Sequence, residues 1–315
     1  MRILRGLDDI SECRGGRLSI GNFDGVHLGH QAMLATLVSE ASAAGVPSIA
    51  MTFEPHPLNL VAPERAPVRL TSSARRAELI AGCGVDWLIE YPTDNALLSL
   101  SAEEFFERII RSGLGATGIV EGPNFCFGRG RGGTIDVLRS LCEQAQIPLT
   151  VLEAISANET LVSSSAIRQA IAAGKIADAV AMLGNPYRLT GTVVRGAGRG
   201  TSLGFGTANL EGIPTLLPQE GVYGGVSRVG GRLYPAAVNC GGNPTFEEHA
   251  RKTEVHLVGY TDGELYGQDL SVDLIGRVRE TRKFAGVDEL KTQLASDIRD
   301  VVAMSQAVIN GSESG

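Results

Sequence analysis

Two histidines, His27 and His30, stand three apart in Gly25-Val26-His27-Leu28-Gly29-His30, in a chain that has five histidines in all. Two chemistries suit such a pair. It could ligate a metal, or it could donate hydrogen bonds to a phosphoryl group as negative charge builds there in a transition state. Catalytic zinc normally takes three protein ligands, and the obvious third, His56, sits in a loop between Pro55 and Pro57. The position of the pair favours phosphate. Leu18 and Ile20 enter from a strand-like run, and "HLGHQAMLATLVSEASAAG" has helical spacing, so the histidines open the first helix. Free N–H groups and partial positive charge at a helix N-terminus suit phosphate. Gly29 has no Cβ, which lets a phosphate or an adenine approach the backbone. Two histidines that only cap a helix are the remaining alternative.

A second cluster lies far along the chain. In "VSSSAIRQAI", residues 162–171, Ser164 and Ser165 supply hydroxyls at a helix start and Arg168 follows on the first turn. Hydroxyls and a guanidinium so grouped suit phosphate oxygens.

The elements around these groups alternate. "RLSIGNF", "VPSIAMTF", "VDWLIEY", "ATGIVEG" and "PLTVLEA" are short apolar runs, each followed by a stretch of helical period. That alternation predicts crossover units and a parallel sheet covered on both faces, a Rossmann-like α/β domain over residues 1–184. From "GNPYRLTGTVV" onward the texture changes. Short alternating strands separated by Gly-rich turns predict a small antiparallel β-barrel domain over 185–308, closed by a C-terminal helix, "VDELKTQLASDIRDVVAMSQAVI". The tail 309–315, "NGSESG" with one preceding residue, reads as disordered.

Bulk composition narrows the function. The chain is 43% apolar and 20% charged, and its net charge of −7 argues against a protein built to coat nucleic acid or an anionic membrane. The "GRGRGG" stretch at 128–133 resembles Arg-Gly segments that bind nucleic acid, but one short copy in an acidic chain fits better a loop closing over the phosphates of a small ligand. Cys13, Cys83, Cys126, Cys142 and Cys240 are scattered without a Cys-x-x-Cys pair, which speaks against a disulfide framework or structural zinc and for a reducing interior. The start "MRILRGLDDI" has acids where a signal peptide needs an apolar stretch. A cytoplasmic location is expected.

His27-Leu28-Gly29-His30 resembles the HxGH motif of the nucleotidyltransferase superfamily, and "VSSSAIR" resembles its ISSTxxR signature, with Ser165 where Thr is usual. Nearly the whole chain is similar to the bifunctional riboflavin kinase/FAD synthetases. The first half carries "IGNFDGVHLGHQAML", "MTFEPHP", "GPNFCFGRGRGG" and "SSSAIR" in the family's order, and the second carries "GRGTSLGFGTANL", "GVYGGV", "NPTF", "TEVHL" and "LYGQDLSV". The resemblance implies two activities, phosphorylation of riboflavin to FMN and adenylylation of FMN to FAD. It implies Mg²⁺ as cofactor, ATP as co-substrate, flavins as substrate and product, and small-molecule partners, with apoflavoprotein clients left open and neither nucleic acid nor membrane expected.

Carried onto this chain, the resemblance implies that His27 and His30 stabilise the α-phosphate. Gly21, Asn22, Phe23, Gly25 and Gly29 surround the ATP, and Ser164, Ser165 and Arg168 hold the leaving pyrophosphate. Phe53 and Asn124 place the flavin, although Phe53 could equally be a core aromatic and Asn22 a turn residue. In the second half, the Gly-rich loop with Gly198 and Gly200 wraps phosphates with its N–H groups. Thr207 and Asn209 offer oxygens to Mg²⁺ and phosphate, and Glu254 is the general base for the ribityl hydroxyl. His256 shares the Glu254 face and receives no role. Gly206 stands where the family has proline, Asn243 where it often has Arg, and Ala166 replaces an Arg. The expectation is weaker Mg-ATP handling in the kinase half, because Thr207 must be held still.

Overall fold

A computed structural model describes residues 1–196, 205–243 and 248–313. The chain divides into two compact units, Met1–Ser163 and Ser164–Gly315.

The first unit is built on a six-stranded sheet: β1 (Arg2–Arg5), β2 (Arg17–Ile20), β3 (Ser48–Glu54), β4 (Trp87–Pro92), β5 (Gly118–Glu121) and β6 (Leu149–Val151), in the order β1-β4-β3-β2-β5-β6. Every pairing in it is parallel. Alternate residues feed opposite faces. Ile49, Met51, Ile89 and Ile119 join one core with Phe105, Ile110 and Leu138. Ala50, Leu88 and Val120 join the other, with Leu34, Leu37 and Ile80 of the helices Leu28–Ala44 and Ser73–Gly82. Burial on both faces is why these strands read as continuous apolar runs. The order reverses at β2: β3 and β4 lie to one side, β5 and β6 to the other. In open α/β sheets such a reversal makes a crevice beyond the carboxyl ends of the strands, where ligands bind.

The second unit starts with the helices Ser164–Ala172 and Ile176–Leu183, followed by a closed barrel. Its strands are β9 (Tyr187–Val194), β10 (Ala208–Glu211), β11 (Gly221–Val229), β12 (Arg232–Asn243), β13 (Glu248–Leu257) and β14 (Asp269–Arg279), all paired antiparallel. The β11–β12 hairpin turns on Gly230 and Gly231, both at positive φ, as a two-residue turn requires. The closing helix, Val287–Glu313, packs on β11, β12 and β14. It comes so close to β11 that a Cβ on Gly224 would sit 3.0 Å from the Met304 sulfur. Ser305 Oγ donates to the Gly225 carbonyl there at 2.8 Å, and Arg279 on β14 pairs with the buried Asp297 at 2.8 Å.

The sequence reading and the structure differ in several places. The chain divides at 163/164, whereas the texture placed the change at 184/185. Among the described residues no further strand of this parallel sheet follows β6; the buried Ile176, Ala179, Met182 and Leu183 of the helix Ile176–Leu183 lie on the element that packs against β9 and β14. The C-terminal helix runs through to Glu313 instead of giving way to a disordered tail at 309. The Asn310-Gly311 pair sits inside its last turns, because one glycine costs a helix only ~1 kcal/mol. β10 is a strand within what reads as a glycine-rich loop, and β1 and the small hairpin of β7 (Ser156–Ala157) and β8 (Thr160–Leu161) carry too few apolar residues to announce themselves.

Candidate active sites

The turn after β2 is held in an unusual conformation. Phe23 and Val26 both have positive φ, 47° and 39°, and both are fully buried. Non-glycine residues reach that region only when their surroundings enforce it. Asp24 does so: its carboxylate accepts from the Leu70 N–H, the Thr71 N–H and the Thr71 hydroxyl at 3.0–3.2 Å. Gly25, at φ 86°, donates its N–H to Thr71 Oγ1 at 3.2 Å. On the other side, Asn22 O accepts from Thr52 Oγ1 and from Arg76 Nη1, each at 3.3 Å.

This turn delivers His27 as the N-cap of the helix Leu28–Ala44. Its Nδ1 accepts the His30 N–H at 3.3 Å, so the proton of the neutral ring resides on Nε2. The two rings stack at 3.7 Å, and Phe23 meets His30 edge-on at 5.3 Å. Burial lowers His27 to about 4, with its own backbone and Asp24 opposing the shift. Burial, then the charge of His27, lowers His30 well below the usual range. The pair is therefore neutral at physiological pH. A neutral stacked pair can donate a hydrogen bond without bringing net charge into the site. Nδ1 of His30 and Oδ1 of Asn22 are buried without a hydrogen-bond partner in the structure. Gly29 has a different duty from the one its sequence position suggests: a Cβ there would lie 3.2 Å from the His27 ring. The missing side chain makes room for the histidine.

Residues around the turn complete one edge of the sheet. Phe53, at the end of β3, packs on the core beside Phe105, at 6.5 Å between ring centroids. The aromatic row continues through Phe127 and Phe125. Asn124 is exposed in the loop after β5, at the same edge of the sheet as Phe53 and the turn. The exposed Arg129 and Arg131 of the "GRGRGG" stretch lie further along that loop.

Two residues here escape a sequence reading. Arg76, 7% exposed, bridges Asn22 O and Glu54. Burial pulls the Glu54 carboxyl upward, but hydrogen bonds and charge from Arg69, with Ser73 and Arg76, hold it below the usual range. Arg69 and Arg76 line a small cleft with Asn22, Asp24, His56 and Asn59. Glu121, fully buried at the end of β5, accepts the Ile20 N–H at 2.6 Å. Backbone pairing between β2 and β5 stops at Leu18–Ile119, and the Glu121 side chain takes over where the strands part. Burial pushes this carboxyl well above its usual range, against the hydrogen bonds from Ile20 and Gly122. Its only signal in the sequence is a lone charge inside the apolar run Gly118-Ile119-Val120-Glu121.

Ser164 and Ser165 open the helix Ser164–Ala172, and Arg168 lies at the start of its second turn, not on the first as the sequence reading placed it; that helix is part of the second unit.

In the barrel, Asn209 on β10 is directly opposite Glu254 on β13, and Glu254 is opposite Asn239 on β12. The neighbours Val255 and Leu210 point into the barrel core, so Thr207, Asn209, Asn239, Glu254 and His256 share its outer face, each half-buried. Asn239 gives no motif signal; only the register finds it. Gly196 is approached so closely that a Cβ would lie 2.1 Å from Asn209 Nδ2. Gly198 and Gly200 lie outside the described residues. Among the described residues no cluster of three His, Cys, Asp or Glu side chains could hold a metal ion.

The chain matches the FAD synthetase family model over residues 9–166 and the riboflavin kinase family model over residues 183–305. It is 35% identical to the bifunctional riboflavin kinase/FMN adenylyltransferase of Escherichia coli K12, covering 94% of this chain and 96% of that protein. The chain belongs to the bifunctional riboflavin kinase/FMN adenylyltransferase family. A Pseudomonas fluorescens member is 36% identical, with 97% of this chain and 98% of that one covered. Among solved structures, one described as a macrolide-efflux protein from Streptococcus pneumoniae superposes with a TM-score of 0.84 at 29% identity, covering 94% of this chain and 97% of that one. No helix among the described residues of this family member is long and apolar enough to cross a membrane.

Proposed function

We propose that this chain makes FMN and then FAD: the barrel transfers the γ-phosphoryl group of ATP to riboflavin, and the α/β unit transfers the adenylyl group of ATP to FMN with release of pyrophosphate. Full-length similarity to bifunctional relatives supports both activities. The observation that carries the adenylyl step is the neutral histidine pair on a buried, strained turn at the carboxyl edge of the sheet.

The FMN phosphate attacks the α-phosphorus of ATP. The Nε2–H of His27 donates to an α-phosphate oxygen as its charge grows, and His30 stacks behind it and fixes its plane. Gly21, Asn22, Phe23, Gly25 and Gly29 shape the turn around the nucleotide, Phe53 and Asn124 orient the flavin, and Ser164, Ser165 and Arg168 keep the pyrophosphate role that their motif implies. In the barrel, Glu254 takes the proton from the ribityl hydroxyl. The Thr207 hydroxyl, the Asn209 amide oxygen and the phosphates form a set of hard oxygen donors, which fits Mg²⁺. When bound, the ion neutralises triphosphate charge. The reading implies soluble small-molecule substrates and a cytoplasmic site of action.

The test is a product assay: purified chain with Mg-ATP and riboflavin, and separately with Mg-ATP and FMN, the flavins then resolved by chromatography. FMN and FAD from riboflavin, and FAD from FMN, are expected. Flavin binding without product in either tube would refute the reading.

A further inference from the structure

His256 is the residue of the barrel site with chemistry and no role. It follows Glu254 by two on β13 and faces the same way. The last Cα pair between β10 and β13 is Ala208–Val255. Beyond it the ladder stops, and the segment Phe205-Gly206-Thr207 leaves the sheet without strand pairing. Two contacts from His256 reach across this break. Its Nδ1 lies 2.8 Å from the Gly206 carbonyl oxygen, and its ring meets Phe205 edge-on at 5.9 Å between centroids. A carbonyl only accepts, so Nδ1 carries the proton.

Gly206 needs such a partner. It is exposed, has no side chain to pack, and directly precedes Thr207. A glycine in an unpaired segment samples more backbone states than any other residue. Thr207 can serve a phosphate or an ion only if its backbone is fixed. We propose that His256 is a positioning residue for the kinase reaction: it pins the Gly206 carbonyl and thereby holds the Thr207 hydroxyl in register with Asn209 and Glu254. The inference rests on the reading that Thr207 and Asn209 serve Mg-ATP.

The experiment uses the full chain and steady-state riboflavin phosphorylation at varied Mg-ATP, with FMN adenylylation by the same preparation as a control on folding. His256→Phe keeps an aromatic ring beside Phe205 and removes the donor. The KM for Mg-ATP is expected to rise roughly 3- to 10-fold, the worth of one hydrogen bond, with kcat changed less than about 2-fold on the same scale. His256→Gln restores a donor N–H and should recover most of the loss. A kcat loss at unchanged KM would overturn the inference, as would a His256→Phe enzyme with wild-type KM. Thr207→Val separates the two levels: if it abolishes the kinase while His256→Phe does not change KM, only the positioning role falls. If Thr207→Val is also silent, the assignment of the phosphate site falls with it. Should the Phe variant fail to fold, the comparison of His256→Gln with His256→Ala carries the same readout.

Discussion

The neutral state of His27 has a measurable thermodynamic signature. The residue is 8% exposed, and its folded value is lowered from 6.5 to about 4. Above pH 6.5 neither state of the chain binds its proton, and below about 4 both do. Between these limits the unfolded chain binds the proton and the folded chain does not, so stability falls as pH falls across the window. The shift is worth 1.36 kcal/mol per unit, which gives ~3 kcal/mol between pH 6.5 and 4. Glu121 works in the opposite sense. Burial raises it, so its contribution declines as pH rises from the ordinary carboxylate range. The difference between wild type and His27→Asn cancels the Glu121 effect, and asparagine keeps an acceptor for the His30 N–H at the helix N-cap. The chain's single tryptophan, Trp87, lies on β4 and so reports on the first unit. Urea titrations followed by its fluorescence from pH 4 to 7 should show the wild-type midpoint falling by roughly 1–3 M more than that of the variant, at a typical slope of ~1–3 kcal/mol per molar. A difference that stays constant within ~0.5 kcal/mol, well under the ~3 expected, would show that His27 is not buried neutral and would remove the basis for its role as an uncharged donor.

Gly29→Ala should lower FAD formation from FMN by roughly 10-fold or more through displacement of the His27 ring, while riboflavin phosphorylation stays unchanged; separate product assays check it. Gly196→Ala should do the reverse, since its Cβ would drive Asn209 from its place, and the thermal midpoint should move little because the displaced atom is a side-chain end. Glu121→Ala should destabilise the first unit by ~1–3 kcal/mol, the cost of leaving the buried Ile20 N–H without an acceptor. Glu121→Gln keeps the acceptor and should stay near wild type, with Trp87 fluorescence in urea as the readout for both.

Much of this architecture is legible in the order of residues because burial is periodic. Ile49 and Met51 alternate with Ala50 between two cores, and that alternation, flanked by helical periods, is what a doubly covered parallel strand looks like. The barrel strands announce themselves by the same physics at period two, as in the β9 stretch Tyr187–Val194. What stayed hidden depends on contacts distant in sequence. Arg76, on the helix Ser73–Gly82, belongs to the histidine turn only because the fold brings it to Asn22 after β2 and to Glu54 at the end of β3. Asn239 neighbours Glu254 only through register. Gly29 could be singled out, but its reason could not: the nearest obstacle is the ring two residues back, which depends on a rotamer. The helices of 164–183 carry the right period, yet period says nothing about which core receives the apolar face.

The barrel site also has a parity. Asn209 and Glu254 share a face because they are cross-strand partners, while Val255 and Leu210 point to the core. Side chains in a strand alternate with period two, so adding or removing one residue in β13 would send Glu254 and His256 inward and turn Val255 out. A change of two residues would keep the faces but move Glu254 away from Asn209. The number of residues between the ends of β13 is therefore fixed by the chemistry as firmly as the identity of the glutamate. Length variation in this half of the molecule should collect in its turns, and a loop graft for engineering should begin there.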